Sequence, residues 1–126
     1  MTNQAQSPND KKKYDLAERT ALFGKSVIEL VLLLPKNAVN NPLITQIVRS
    51  ATSIGANYME ADCAESKKDF SHKISICKKE AKETIYWLNM MIVVDPTNEV
   101  KYLNLRKEVH ELLLIFSSIF NKSKQA

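Results

Sequence analysis

Residues 66–96 read SKKDFSHKISICKKEAKETIYWLNMMIVVDP, and the spacing of their apolar side chains decides the fold. Phe70, Ile74, Cys77, Ala81, Leu88 and Ile92 recur at helical intervals and share one face at about 100° per residue. Ser66 with Asp69 three positions later is a helix-start signal, a capping hydroxyl with an acid in the first turn. Asp95–Pro96 ends the segment and starts the next, because proline fits the first position of a helix and not its interior. The stretch is therefore one long amphipathic helix ending near Val94, with no run of alternating residues that would favour a strand.

The same rules extend in both directions. Upstream, Asn41–Pro42 is a second cap-plus-proline pair, and Leu43, Ile47, Ala51, Ile54, Tyr58 and Ala61 form the inner stripe of a helix ending near Ala64. Before it, Asp15 with Glu18 starts a helix carrying Leu16, Phe23, Val27, Leu30, Val31 and Leu34, which Pro35 stops. Downstream, Leu105, Val109, Leu112, Leu113, Phe116 and Phe120 face inward on a fourth helix. Short connections between four such helices predict an all-α, antiparallel up-down four-helix bundle over residues 14–121. Residues 1–13, ending in Lys11, Lys12 and Lys13, are expected to be a flexible polar tail, and residues 122–126 a frayed end.

The chain has 126 residues, enough for one domain with its own core and no metal or disulfide. Two glycines and four prolines are too few for a sandwich or barrel with many turns. No signal peptide or membrane span is legible, so a cytoplasmic setting with Cys63 and Cys77 as free thiols is the expectation. Eighteen basic residues against fourteen acidic give a net charge of +4, which permits a nucleic-acid partner without requiring one.

Signals for catalysis are weak. Gly24 and Gly55 are isolated, no Cys-x-x-Cys unit occurs, and His72 and His110 lie on different helices outside any Glu-x-x-His spacing. Cys77 on the core stripe reads as a small hydrophobe. No enzyme activity, no cofactor and no metal are expected.

Three faces go beyond what a core explains. On the second helix Gln46, Arg49, Ser50, Ser53, Asn57 and Glu60 share an arc of about 100°. It reads as a solvated face, as a contact with another helix or subunit through small and amide residues, or as a small-ligand or nucleotide site. On the third helix Lys67, Lys68, Lys78, Lys79 and Lys82 fall within about 120°. This ridge is either solvated surface or a track for phosphates, with Tyr86 the one aromatic directed toward it. Finally, Ile76 and Trp87, Leu22 and Leu33, and Leu103 and Leu114 are each three turns apart on one azimuth. These pairs are either the margin of a wide core or an exposed apolar stripe that would mark a homo-oligomer contact.

The segments RSATSIGANYMEA (49–61) and KKEAKETIYWL (78–88), with DLAERT (15–20) and LPK (34–36), resemble the four-helix-bundle family of 23S rRNA intervening-sequence proteins. The resemblance runs over about residues 14–120, in order. It implies a bundle, bacterial homo-oligomers that are typically ring-like pentamers, and no enzymatic activity. It also implies a kinship with the accessory proteins of diversity-generating retroelements, which bind a reverse transcriptase and nucleic acid through a basic surface. The family's recurrent positions fall on Arg49, Ser50, Ser53, Asn57, Glu60, Glu80, Ala81, Glu83 and Trp87. Two functions follow as expectations. One is nucleic-acid binding through Lys67, Lys68, Lys78, Lys79 and Lys82, with Arg49, Ser53, Asn57, Glu60, Ile76, Glu83 and Trp87 at an oligomer or helix-packing interface. The other is a scaffold or accessory subunit whose only partner is protein.

Overall fold

A computed structural model describes residues 15–125. It contains four helices, α1 (Leu16–Val31), α2 (Asn40–Asp62), α3 (Lys67–Val94) and α4 (Glu99–Gln125), with one turn of 3-10 helix at Pro96–Asn98 before α4. The expected tail over residues 1–13 lies outside the described residues.

Side-chain pairing fixes the direction of each helix. Gly24 meets Thr52 and Gly55 meets Thr20, so α1 and α2 run antiparallel. Ser50 pairs with Thr84 and Glu60 with Lys73, which reverses α3 against α2. Ser71 pairs with Ser123 and Asn89 with Arg106, which reverses α4 against α3. Arg19 reaches Glu108 and Glu111, closing α1 against α4. The result is the expected up-down bundle. The α2–α3 and α3–α4 seams are the most extensive, and the α1–α4 seam is the sparsest.

The core is built from the stripes the periodicity picks out. Val27, Ile47, Ala51, Ile54, Ile74, Cys77, Ala81, Leu88, Val109, Leu112 and Phe116 are fully buried. Leu105, Leu113 and Phe120 pack only partly against that cluster. Tyr102 is fully buried although its hydroxyl is polar, because that hydroxyl donates to Asp95 Oδ2 at 2.8 Å.

The helix ends differ from the sequence pattern in three places. Helix α1 stops at Val31 rather than Leu34, where Leu34 N–H donates to Val31 O in a tighter turn ahead of Pro35. Helix α2 is opened not by Asn41 but by Asn37, whose side chain accepts from Val39 N and Asn40 N at 3.0 and 2.7 Å. Helix α4 continues through Gln125, into the residues expected to fray. The last turn stays helical because Ser123 bonds Ser71 at 2.5 Å and Lys124 lies over the Phe120 ring. The Ser66 cap is as read, with its hydroxyl accepting from Asp69 N at 3.0 Å. No helix among the described residues is long and apolar enough to cross a membrane.

Candidate functional site

Helix α3 is two-sided, and its acids and bases have been sorted between its neighbours. Glu80 and Glu83 lie on the edge toward α2, where both pair with Arg49. The Arg49–Glu80 contact is 3.3 Å, and Glu80 is only 6% exposed. Lys73 on the same edge pairs with Glu60 at 2.7 Å, and that bond raises the ammonium pKa. Between these ion pairs Thr84 donates to Ser50 at 2.9 Å in a buried contact. The polar face of α2 is thus a seam against α3 within one chain. Arg49 and Glu60 do not pair with each other along α2, because each finds an opposite charge across the seam. Asn57 turns back on its own helix and donates to Ser53 O at 2.8 Å.

The lysine ridge faces the other way. Lys67, Lys68, Lys79 and Lys82 are exposed and Lys78 is half-buried, and among the described residues none of the five forms an ion pair. The cause is the sorting just described, since Glu80 and Glu83 are taken by Arg49. Lys78 lies 4.7 Å from the centre of the Phe120 ring, and Lys124 lies 5.5 Å from it, a cation–π pair of contacts on one aromatic.

Helix α4 adds cations that periodicity on α3 alone missed. Arg106 donates to Asn89 Oδ1 at 2.6 Å across the α3–α4 seam. A groove of about 430 Å³ there is lined by Ile85, Asn89, Leu103, Arg106, Lys107 and His110. The available signal was the Arg106–Lys107 doublet and Lys124 on a helix where two of the three acids, Glu108 and Glu111, project toward α1 and pair with Arg19. The hydrogen bond to Glu108 holds the Arg19 guanidinium charged beyond its ordinary range, against the opposing effect of partial burial.

The apolar stripe divides. Leu22, Leu33 and Leu114 are exposed, Leu33 most of all at 83%. Ile76, Trp87 and Leu103 are half-buried, so the six residues are in part core margin and in part exposed surface. Trp87 packs on the core cluster, and its ring meets Tyr86 edge-on at 4.9 Å. Its indole Nε1 is buried with no partner among the described residues. Leu22 and Leu33 line a second groove, of about 480 Å³, between α1 and α4.

The thiols are inequivalent. Cys63 is exposed beyond the end of α2, and Cys77 is buried, where desolvation pushes its thiol up to about 12. No three His, Cys, Asp or Glu among the described residues gather closely enough to hold a metal ion.

Comparison with known proteins agrees with this geometry. The family model described as 23S rRNA-intervening sequence protein matches residues 12–118. A crystal structure of a protein of unknown function from the S23 ribosomal protein family of Bacteroides thetaiotaomicron VPI-5482 superposes with a TM-score of 0.73 at 33% identity, covering 84% of this chain and 98% of that one. No curated protein matches the chain.

Proposed function

Because the chain belongs to the 23S rRNA-intervening sequence protein family, we propose that it works without catalysis, as a homo-oligomeric helical bundle that binds RNA or DNA through the α3 lysine ridge. The single observation that carries this reading is the sorting of charge on α3. Glu80 and Glu83 are held by Arg49 on one edge, which leaves five lysines on the opposite side with no carboxylate partner among the described residues. Lysines on a straight helix meet phosphates as point charges and select no sequence. Several copies of the ridge in one assembly would convert weak contacts into useful affinity. The exposed Leu22 of α1 and Leu33 just beyond its end support assembly, since exposed apolar side chains grouped on one surface are a common contact site. The setting proposed is the bacterial cytoplasm, and a ring of five is the assembly that the family resemblance implies.

Light scattering on the purified chain, followed by titration with RNA and DNA at two salt concentrations, tests the proposal. The expected result is a mass several times 14.3 kDa and an affinity that falls steeply as salt rises. Charge reversal at Lys79 and Lys82 should weaken binding and flatten the salt dependence. Absence of binding at low salt would replace this reading with the second one, a scaffold or accessory subunit that docks protein through Leu22 and Leu33.

A further inference from the structure

We infer that the ligand of the basic face is the paired backbone of a double helix, not a single strand; the inference rests on the nucleic-acid reading above and narrows it. Two rows of cations flank the α3–α4 seam. Lys67, Lys78 and Lys82 form the α3 row, and Arg106, Lys107 and Lys124 form the α4 row. The rows are tied side by side by the shared Phe120 ring and by the Arg106–Asn89 hydrogen bond. At 1.5 Å per residue, Lys67 to Lys82 covers about 22 Å and Arg106 to Lys124 about 27 Å. Lys78 and Lys124 reach the same Phe120 ring from the two helices, at 4.7 and 5.5 Å from its centre, so the two sets of cations come within about 10 Å of each other there.

Cations on two rigid, parallel helix axes, with Arg106 and Lys107 at one end of α4, Lys124 at the other and the α3 lysines alongside, match a ligand that carries two lines of phosphate. A duplex carries them and stays stiff over this length. A single strand carries one line, bends freely, and gains much of its affinity by stacking bases on aromatic rings. This face withholds such rings. Phe120 is half-buried and covered by the ammonium groups of Lys78 and Lys124. Tyr86 is exposed, but it is a single ring with Trp87 packed edge-on against it. RNA and DNA duplexes share the paired-phosphate chemistry. The wide, shallow minor groove of an RNA duplex and the grooves of DNA differ in how far apart they hold the two lines.

The test is fluorescence anisotropy with the full chain at about 50 and 200 mM salt. The probes are an RNA duplex and a DNA duplex of about 16 base pairs, and each constituent strand alone. At least one duplex should bind about tenfold or more tighter than its strands, and the difference between the two duplexes identifies the source. Lys82→Ala and Lys107→Ala, one from each row, should each reduce the duplex salt slope by about 0.9. Tyr86→Ala should leave duplex affinity unchanged. Single strands binding as tightly as duplexes would overturn the inference and leave the nucleic-acid function standing. So would loss of slope from Lys82→Ala with none from Lys107→Ala, because only one row would then be in use. Failure of every probe to bind at low salt would remove both the function and the inference.

Discussion

Single residues here are governed by how closely α2 is approached by its neighbours. A Cβ added at Gly55 would meet Thr20 Oγ1 at 3.1 Å, and that hydroxyl is held by a 2.7 Å bond to Leu16 O. A Cβ at Gly24 would meet Thr52 at an ordinary 3.6 Å. Gly24→Ala should therefore stabilise the protein by up to about 1 kcal/mol through helix propensity, while Gly55→Ala should gain nothing or lose stability. Urea denaturation of the two variants checks the contrast. The cysteines make a second residue-scale case. Burial raises the Cys77 thiol to about 12, so the folded chain keeps its proton where the unfolded chain releases it at about 8.5. The unfolded state then binds fewer protons, and stability falls as pH rises from about 8.5 toward 12; below that window the contribution is fully present. Burial also pushes the Tyr102 hydroxyl up, which acts in the same direction. Melting followed across alkaline pH should show this decline, and Cys77→Ser should reduce it. A thiol reagent at neutral pH should label Cys63 quickly and Cys77 only on unfolding.

Between elements, polar seams set how the helices are matched. The α2–α3 seam places a nearly buried carboxylate, Glu80, against one guanidinium. Removing Arg49 leaves that carboxylate without its cation, so Arg49→Ala should cost about 1–3 kcal/mol, reduced from the fully buried case because Arg49 is itself 46% exposed. Glu80→Gln in the same background should recover part of the loss. Chemical denaturation of the single and double variants measures the coupling, and strictly additive losses would mean the pair contributes nothing. The capping of α2 is a second matter of elements. Asn37 rather than Asn41 accepts the first free N–H groups, so Asn37→Ala should cost about 1 kcal/mol. Asn41 offers the same chemistry in sequence. It lies one residue inside the helix, and its side chain instead accepts from Asn37 N.

For the molecule as a whole, the distribution of charge and the weakest seam carry the functional argument. Arg19 ties α1 to Glu108 and Glu111, Arg49 ties α2 to Glu80 and Glu83, and Glu60 ties α2 to Lys73. Five acids are thus paired on edges away from the α3–α4 face, while none of the five ridge lysines has a carboxylate partner among the described residues. The α1–α4 seam is bridged by Arg19 and otherwise opens into a groove, with Leu33 on its lip at 83% exposure. Under the proposed assembly, Leu33→Glu should lower the mass toward 14.3 kDa while the far-ultraviolet helical signal is retained. Light scattering and circular dichroism on the same sample read both. An unchanged mass would take Leu33 out of the contact.

By itself the sequence determined the four helices, their order and most of the core. Those features follow from local spacing, from Ser66 and the prolines at the turns, and from a period of 3.6 that one stretch such as 66–96 displays unaided. The lysine ridge was legible for the same reason, since all five residues lie on one helix. What pairs with what was decided only by the tertiary structure. The wheel places Arg49 and Glu60 on one arc of α2 but not Glu80, Glu83 and Lys73 opposite them, because the register between antiparallel helices is a property of two elements. Trp87 and Ile76 share an azimuth with nothing in the sequence to say how closely neighbouring helices approach, and packing half-buries both. Arg106, Lys107 and Lys124 join the basic face only because α4 returns beside α3. Charge becomes a surface when separate helices are brought within a few ångströms, and that distance is set by the packed core between them.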